Sequence, residues 1–284
     1  MIKTISTASL ALLIVAGAAP AMAQSSWYST AGDWSGPYVG VYGGALESDD
    51  NANEQLVFDR DFDGQFDDTV VLNGTSNNAF SPGSCDGTPS SASNGNCDRD
   101  PGGVEGGIRA GWDMQFGSWV VGAVAELSAV KAEDSVTSFS TTPANYAFTR
   151  QLEHTASLRA RVGYASGPAL VYITGGPAYG KIENRFTTTN GANSFTERSN
   201  EDDADGYQAG AGVEWRLAPS LTLVGEYLYT DLDAGDYVVR VGNTGTTPAT
   251  NPFILPPNTA GTDMTRNGDQ FRMHAFRLGM NVQF

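Results

Sequence analysis

The chain is 284 residues long, carries a formal net charge of −16, and is 40% hydrophobic and only 17% charged, with 34 glycines. No basic footprint of the kind a phosphate backbone requires accompanies that charge, so nucleic acid is excluded as a partner. After residue 23 no apolar stretch approaches the ~20 residues of a membrane-spanning helix, which leaves a soluble exported β-protein or a β-barrel.

The chain opens with Lys3, a short apolar run from Leu10 to Val15 and the small-x-small triplet Ala21-Met22-Ala23. That order reads as a secretory signal peptide over 1–23, followed by a short periplasmic segment over 24–33. The barrel domain is expected over 34–284. Its first strand runs from Trp34 to Leu46, with Val39 and Val41 taken as lipid-facing. A long acidic loop over 47–103 follows, without sustained alternation.

The second strand, from about Val104 to Phe116, puts Ile108, Ala110, Trp112, Met114 and Phe116 on one face. Glu105, Arg109, Asp113 and Gln115 fall on the other. Gly117-Ser118 is a tight turn into a third strand, with Trp119, Val121 and Leu127 outward and Glu126 inward. Residues 133–150 read as loop. The fourth strand sets Leu158, Val162 and Tyr164 against Arg159 and Arg161. After the turn at 166–168, the fifth covers 169–182, its register left open by the Gly-rich interior around Pro177. A polar loop over 183–205 precedes the sixth strand, where Tyr207, Val213 and Trp215 oppose Gln208, Glu214 and Arg216. The turn at 218–220 leads to the seventh, where Leu223, Tyr227 and Tyr229 oppose Thr222, Glu226 and Thr230. A loop over 234–269 then leads to the last strand. There Phe276, Leu278, Met280, Val282 and Phe284 alternate with Arg277, Gly279, Asn281 and Gln283.

Eight strands thus alternate with four long loops and three short turns. Outer-membrane barrels sort their connections in this way, with short periplasmic turns and long extracellular loops. The expected fold is all-β: an eight-stranded antiparallel transmembrane barrel with four long extracellular loops, short periplasmic turns and both termini periplasmic.

Trp34-Ser-Gly-Pro-Tyr-Val-Gly, Leu158-Arg-Ala-Arg-Val-Gly-Tyr164, Gly225-Glu-Tyr-Leu-Tyr-Thr-Asp-Leu232 and the terminal Phe284 carry a likeness across all the strands. The chain resembles the porin-like, immunogenic outer-membrane β-barrel family of Gram-negative bacteria, within the OmpA/OmpX-like group of eight-stranded barrels. The resemblance implies a bacterial outer-membrane location, contact with outer-membrane lipid and lipopolysaccharide, and a structural, adhesive or porin-like role. It also implies that the C-terminal strand, ending in Phe284, is the signal read by the barrel-assembly machinery. A monomer is expected, and no surface ligand is indicated.

Projected inward, the alternation collects Arg109, Arg159, Arg161, Arg216 and Arg277 with Glu105, Asp113, Glu126, Glu214 and Glu226. Five charges of each sign balance, as buried ion pairs must. Small barrels are filled by side chains. A side-chain-plugged interior with a structural and surface-interaction role is therefore expected, and a narrow or gated small-solute pore is the alternative. A lipid-modifying enzyme is a distant third: neither His154 nor His274 has a serine two residues on. No catalytic residue and no organic cofactor is indicated.

Two features stand out in the first loop. Cys85 and Cys97 share a Ser/Gly/Asn-rich stretch of an exported chain, which favours a local disulfide. Asp59-Arg-Asp-Phe-Asp-Gly-Gln-Phe-Asp67 has carboxylates at positions 1, 3, 5 and 9 and glycine at 6, the opening of an EF-hand-type Ca²⁺ loop. Val70 stands where the bidentate glutamate would be. Asp59, Asp61, Asp63 and Asp67 form the expected Ca²⁺ set, and a solvated acidic turn is the competing reading.

Overall fold

A computed structural model describes residues 32–49, 53–92 and 95–284. The expected signal peptide over 1–23, and the segment after it up to residue 31, lie outside the described residues. Eight long strands form a closed antiparallel ring. They are β1 (Gly36–Ser48), β2 (Gly103–Phe116), β3 (Trp119–Ser140), β4 (Ala144–Ser166), β5 (Ala169–Thr188), β6 (Asp203–Ala218), β7 (Leu221–Asp233) and β8 (Gln270–Gln283). Each pairs with its neighbour in sequence, and β8 pairs with β1 from Tyr38↔Gln283 to Ser48↔Met273 to close the wall. Closure removes every free edge from this part of the molecule.

Alternation decides the facing. Val39, Ile108, Trp119, Leu158, Ile173, Trp215 and Leu278 are exposed on the outer wall, while Tyr38, Tyr42, Arg109, Arg159 and Arg277 are buried inside. The valines of β1 therefore face outward as expected. In β5, Leu170, Tyr172 and Ala178 point in and Val171, Ile173 and Tyr179 point out. The β4–β5 ladder skips Leu158 and Arg159 opposite Pro177 and Gly176 and resumes in the same register, as a proline without an N–H requires. The outward apolar run on β6 from Tyr207 to Leu217 rises about 25 Å if the strand tilts by roughly 40°, the height of an outer-membrane apolar band.

Short turns gather at one end. Gly117 and Gly167 take φ of +63° and +57° there, a region open to glycine without steric cost. The opposite end differs from expectation. Residues 133–150 are not loop: β3 and β4 run on as a hairpin of 22 and 23 residues, well past the ~9–11 a strand needs to cross. The ladder shifts register between Ala129 and Ala132 of β3 and between Leu152 and His154 of β4. Such bulges bend a strand and strengthen its twist at a barrel rim.

Beyond that rim the long connections fold into a cap. Leu56–Asp59, Thr262–Arg266, Tyr237–Asn243 and Asn193–Asn200 form a four-stranded antiparallel sheet. Gly83–Asp86 pairs with the extension of β3. The two sheets enclose a core of their own: Phe58, Val70, Val136, Tyr146, Phe148, Val239, Val241 and Met264 are all buried in one cluster. Alternation is lost over 133–150 because both faces are covered. Val136 packs on that core, and Thr137, on the opposite face, donates to the carbonyl of Gly87 at 2.8 Å.

Candidate functional site

The barrel lumen is where the sequence concentrates its charge. Glu226 of β7 and Glu126 of β3 are the two hubs. Arg159 reaches Glu126 at 2.7 Å and Glu226 at 3.2 Å, and Arg109 reaches them at 3.1 and 3.5 Å. Arg277 reaches the same pair at 2.8 and 3.5 Å and holds Glu105 as well. Tyr172 donates to Glu226 at 2.8 Å. Three guanidinium groups and three carboxylates are therefore paired as ions in a space closed to solvent, while Arg159 Nε and Nη1 make no hydrogen bond to the described residues. That mutual pairing is what makes buried charge tolerable.

Towards the turn end a second group follows, with Arg161 paired to Asp113 at 2.9 Å and to Glu214 at 2.6 Å. Arg161 also lies over the rings of Tyr38 and Tyr172. Glycines make room for these rings: a Cβ on Gly111 would sit 2.3 Å from Tyr38 Cζ, and one on Gly107 2.6 Å from Tyr42 Cζ. Arg216 belongs to neither ion-pair group. Its guanidinium covers the ring of Trp34 at 4.3 Å and donates to the carbonyl of Asp33, so it closes the turn-end mouth.

Above the central charges the lumen becomes apolar. Leu46, Leu152, Ile182, Leu228, Leu232, Phe271 and Met273 fill it as one buried cluster. This layer is absent from the polar interior that the sequence suggests, and even-numbered Leu228 and Leu232 carry its signal in β7. Higher still, Arg266 pairs with Glu54 and with Asp134 (2.7 Å). Arg150, buried beside them, donates to the carbonyls of Gly268 (2.7 Å) and Gly235 (3.3 Å). Burial lowers the Arg150 pKa to about 10. Charge, hydrocarbon, charge and the cap core are thus stacked along one axis.

In the cap, Cys85 and Cys97 are joined as a disulfide. The acidic loop brings Asp59, Asp61 and Asp68 together, with carboxylate oxygens within 4.8 Å of one another, and Asp63 and Asp67 are not of that group. Both oxygens of Asp59 are engaged by the loop itself, accepting from Phe62 N at 2.6 Å and Gly64 N at 2.9 Å. His274 faces outward near the cap-end rim, where its Nδ1 lies 2.7 Å from Tyr227 Oη, and His154 is exposed. Phe284 is exposed at the turn end, its N–H donating to Pro37 O.

Comparison with known proteins agrees with this architecture. The family model described as outer membrane protein beta-barrel domain matches residues 9–284. A 31 kDa outer-membrane immunogenic protein of Brucella melitensis is 30% identical over 192 residues, which cover 67% of this chain and 70% of that protein. A 22 kDa outer membrane protein of Rhizobium leguminosarum bv. viciae is 36% identical over 87 residues, 31% of this chain and 37% of its own. Among solved structures, the outer membrane protein OprG from Pseudomonas aeruginosa aligns over 90% of this chain and 100% of its own, with a TM-score of 0.47 and 12% identity.

Proposed function

Since this chain belongs to the outer membrane protein beta-barrel family and so resides in the outer membrane, we propose that it works as a sealed structural barrel presenting a folded cap at the cell surface. The carrying observation is the stack of layers in the lumen. A hydrated solute entering from either end meets the ion pairs around Glu126 and Glu226 or the apolar plug around Leu228 and Phe271. The porin reading loses its support for that reason, and the Tyr227–His274 contact, which an enzyme reading would use, fits an aromatic rim at the membrane interface.

The orientation belongs to the same proposal. Three short turns at one end and a cap at the other match periplasmic turns and extracellular loops. Both termini then lie in the periplasm, and Phe284 sits where the assembly machinery meets the last strand. Planar-bilayer recording tests the sealed lumen: purified protein is expected to give no unitary steps, and reproducible steps that change with Glu226→Gln would overturn the reading. An epitope inserted after Thr246, in an exposed cap turn, tests orientation; labelling of intact cells is expected, and labelling only after lysis would invert it.

A further inference from the structure

Three residues that belong to no strand cross the turn-end mouth of the barrel. Asp33, Trp34 and Ser35 precede β1 and carry no backbone ladder. We infer that they form a strap that shuts this mouth and, when lifted, admits water from the turn end as far as the ion pairs.

The grip on the strap comes from side chains on strands set apart around the ring. Trp34 N donates to Gln115 Oε1 of β2 at 2.7 Å, and Gln115 N donates back to Ser35 Oγ at 3.0 Å. Arg216 Nη2 of β6 donates to Asp33 O at 2.8 Å, and Gln283 Nε2 of β8 donates to Ser35 O at 3.1 Å. Trp34 itself is 2% exposed and clusters with Val120 of β3 and with Leu170 and Tyr172 of β5. Arg216 lies over its ring. One indole thus stops the mouth.

The strap can lift without opening the wall. It is held by side-chain bonds and one stacked ring, so its release breaks no pair of the β1–β8 or β1–β2 ladders. Gly36, at its end, takes a φ of +128°, a region that glycine enters without steric cost. The ion pairs and the apolar layer differ, because their members stand on the wall strands themselves. An opening that draws on few contacts costs less than global unfolding. The inference deepens the sealed-barrel reading and rests on it.

Thiol labelling of the full protein in detergent micelles provides the test, with a permanently charged methanethiosulfonate as the probe. Cys85 and Cys97 are joined, so the thiol that reacts is the introduced one. Asn281→Cys places it on the inward face of β8 behind the strap, where the native amide makes no hydrogen bond to the described residues. Its labelling is expected to be slow, and to quicken by about tenfold or more when Trp34→Ala is added. Leu228→Cys, in the apolar layer, is expected to stay unlabelled with or without Trp34→Ala. If Trp34→Ala loses the heat-modifiable gel shift, Arg216→Met takes its place, since it removes the cover of the ring and the bond to Asp33. Equal rates for Asn281→Cys in the intact and the released strap would overturn the strap. Labelling of Leu228→Cys would overturn the limit at the ion pairs, and with it the sealed lumen.

Discussion

Arg277 grips Glu105 with two parallel bonds, Nε to Oε1 at 2.5 Å and Nη2 to Oε2 at 2.7 Å. The two residues stand on β8 and β2, with β1 between them, so the pair reaches across the seam where the chain's end meets its beginning. A bidentate carboxylate–guanidinium contact fixes both distance and orientation.

Removing one partner leaves Glu105, Glu126 and Glu226 short of a cation in a space that water does not reach. Arg277→Ala is therefore expected to cost about 3–5 kcal/mol. The check is the urea midpoint of the folded-to-unfolded band shift in reconstituted barrel. A midpoint within error of wild type would show that the seam does not depend on this pair.

The residue beneath the pair must be small. A Cβ on Gly44 would lie 3.1 Å from Arg277 Cγ and 3.1 Å from Glu105 Oε1, and 2.9 Å from the Phe276 carbonyl. Gly44→Val pushes branched carbon into that contact, and overpacking of this kind typically costs about 1–3 kcal/mol. Folding yield into lipid vesicles should drop below that of Gly43→Val, whose Cβ would meet only one atom, at 3.6 Å. Equal yields would contradict the argument.

The cap should respond to pH through Asp100. Its Oδ2 accepts from Ser135 N at 2.6 Å, which ties the end of the first connection to β3. Burial, with Asp134 nearby, raises its pKa from 3.8 to about 6, against the lowering pull of Ser135 and Arg266. A carboxyl group whose pKa rises on folding favours the folded state when protonated. The contribution is full below about pH 4 and is lost as pH climbs through about 6. Amide exchange at Ser135 should accordingly quicken over that window. Asp100→Asn should slow it at pH 7.5 by roughly threefold to tenfold, allowing for solvent screening, and leave it unchanged at pH 4. An Asn variant indistinguishable from wild type at both pH values would remove Asp100 from this role.

The disulfide should act on the cap alone. Cys85 and Cys97 are separated by 12 residues, and closing a loop of that size stabilises by about 3 kcal/mol in the chain-entropy account. Reduction is expected to open residues 86–96 to protease while the barrel keeps its heat-modifiable migration. Simultaneous loss of both would mean that the cap and barrel cannot be unfolded separately.

Phe80 tests the cap core directly. It touches Phe58, Tyr146 and Phe253 with ring centroids 4.6–5.8 Å apart. Phe80→Ala should cost about 3–5 kcal/mol of cap stability, read as earlier loss of near-ultraviolet circular dichroism with the barrel's urea midpoint unmoved.

The barrel was legible because each of its strands separates two media. Lipid on one side and a narrow lumen on the other force strict alternation, so Ile108 against Arg109 or Leu278 against Arg277 announces both strand and facing. The cap escaped because that contrast disappears beyond the rim. Ser135, Val136, Thr137 and Ser138 are all buried, and a strand covered on both faces has no period to show.

What the sequence determined by itself was the eight-stranded wall, the division of its residues between outside and lumen, and the pool of interior charges, because these follow from period and composition. Only the tertiary structure decided who pairs with whom in that pool. It alone showed that Leu228 and Phe271 lay hydrocarbon over the charges, and that Arg216 leaves them to cover Trp34. Those facts depend on register around a closed ring and on contacts between residues as far apart as Glu105 and Arg277, and no local pattern encodes a distance of that kind.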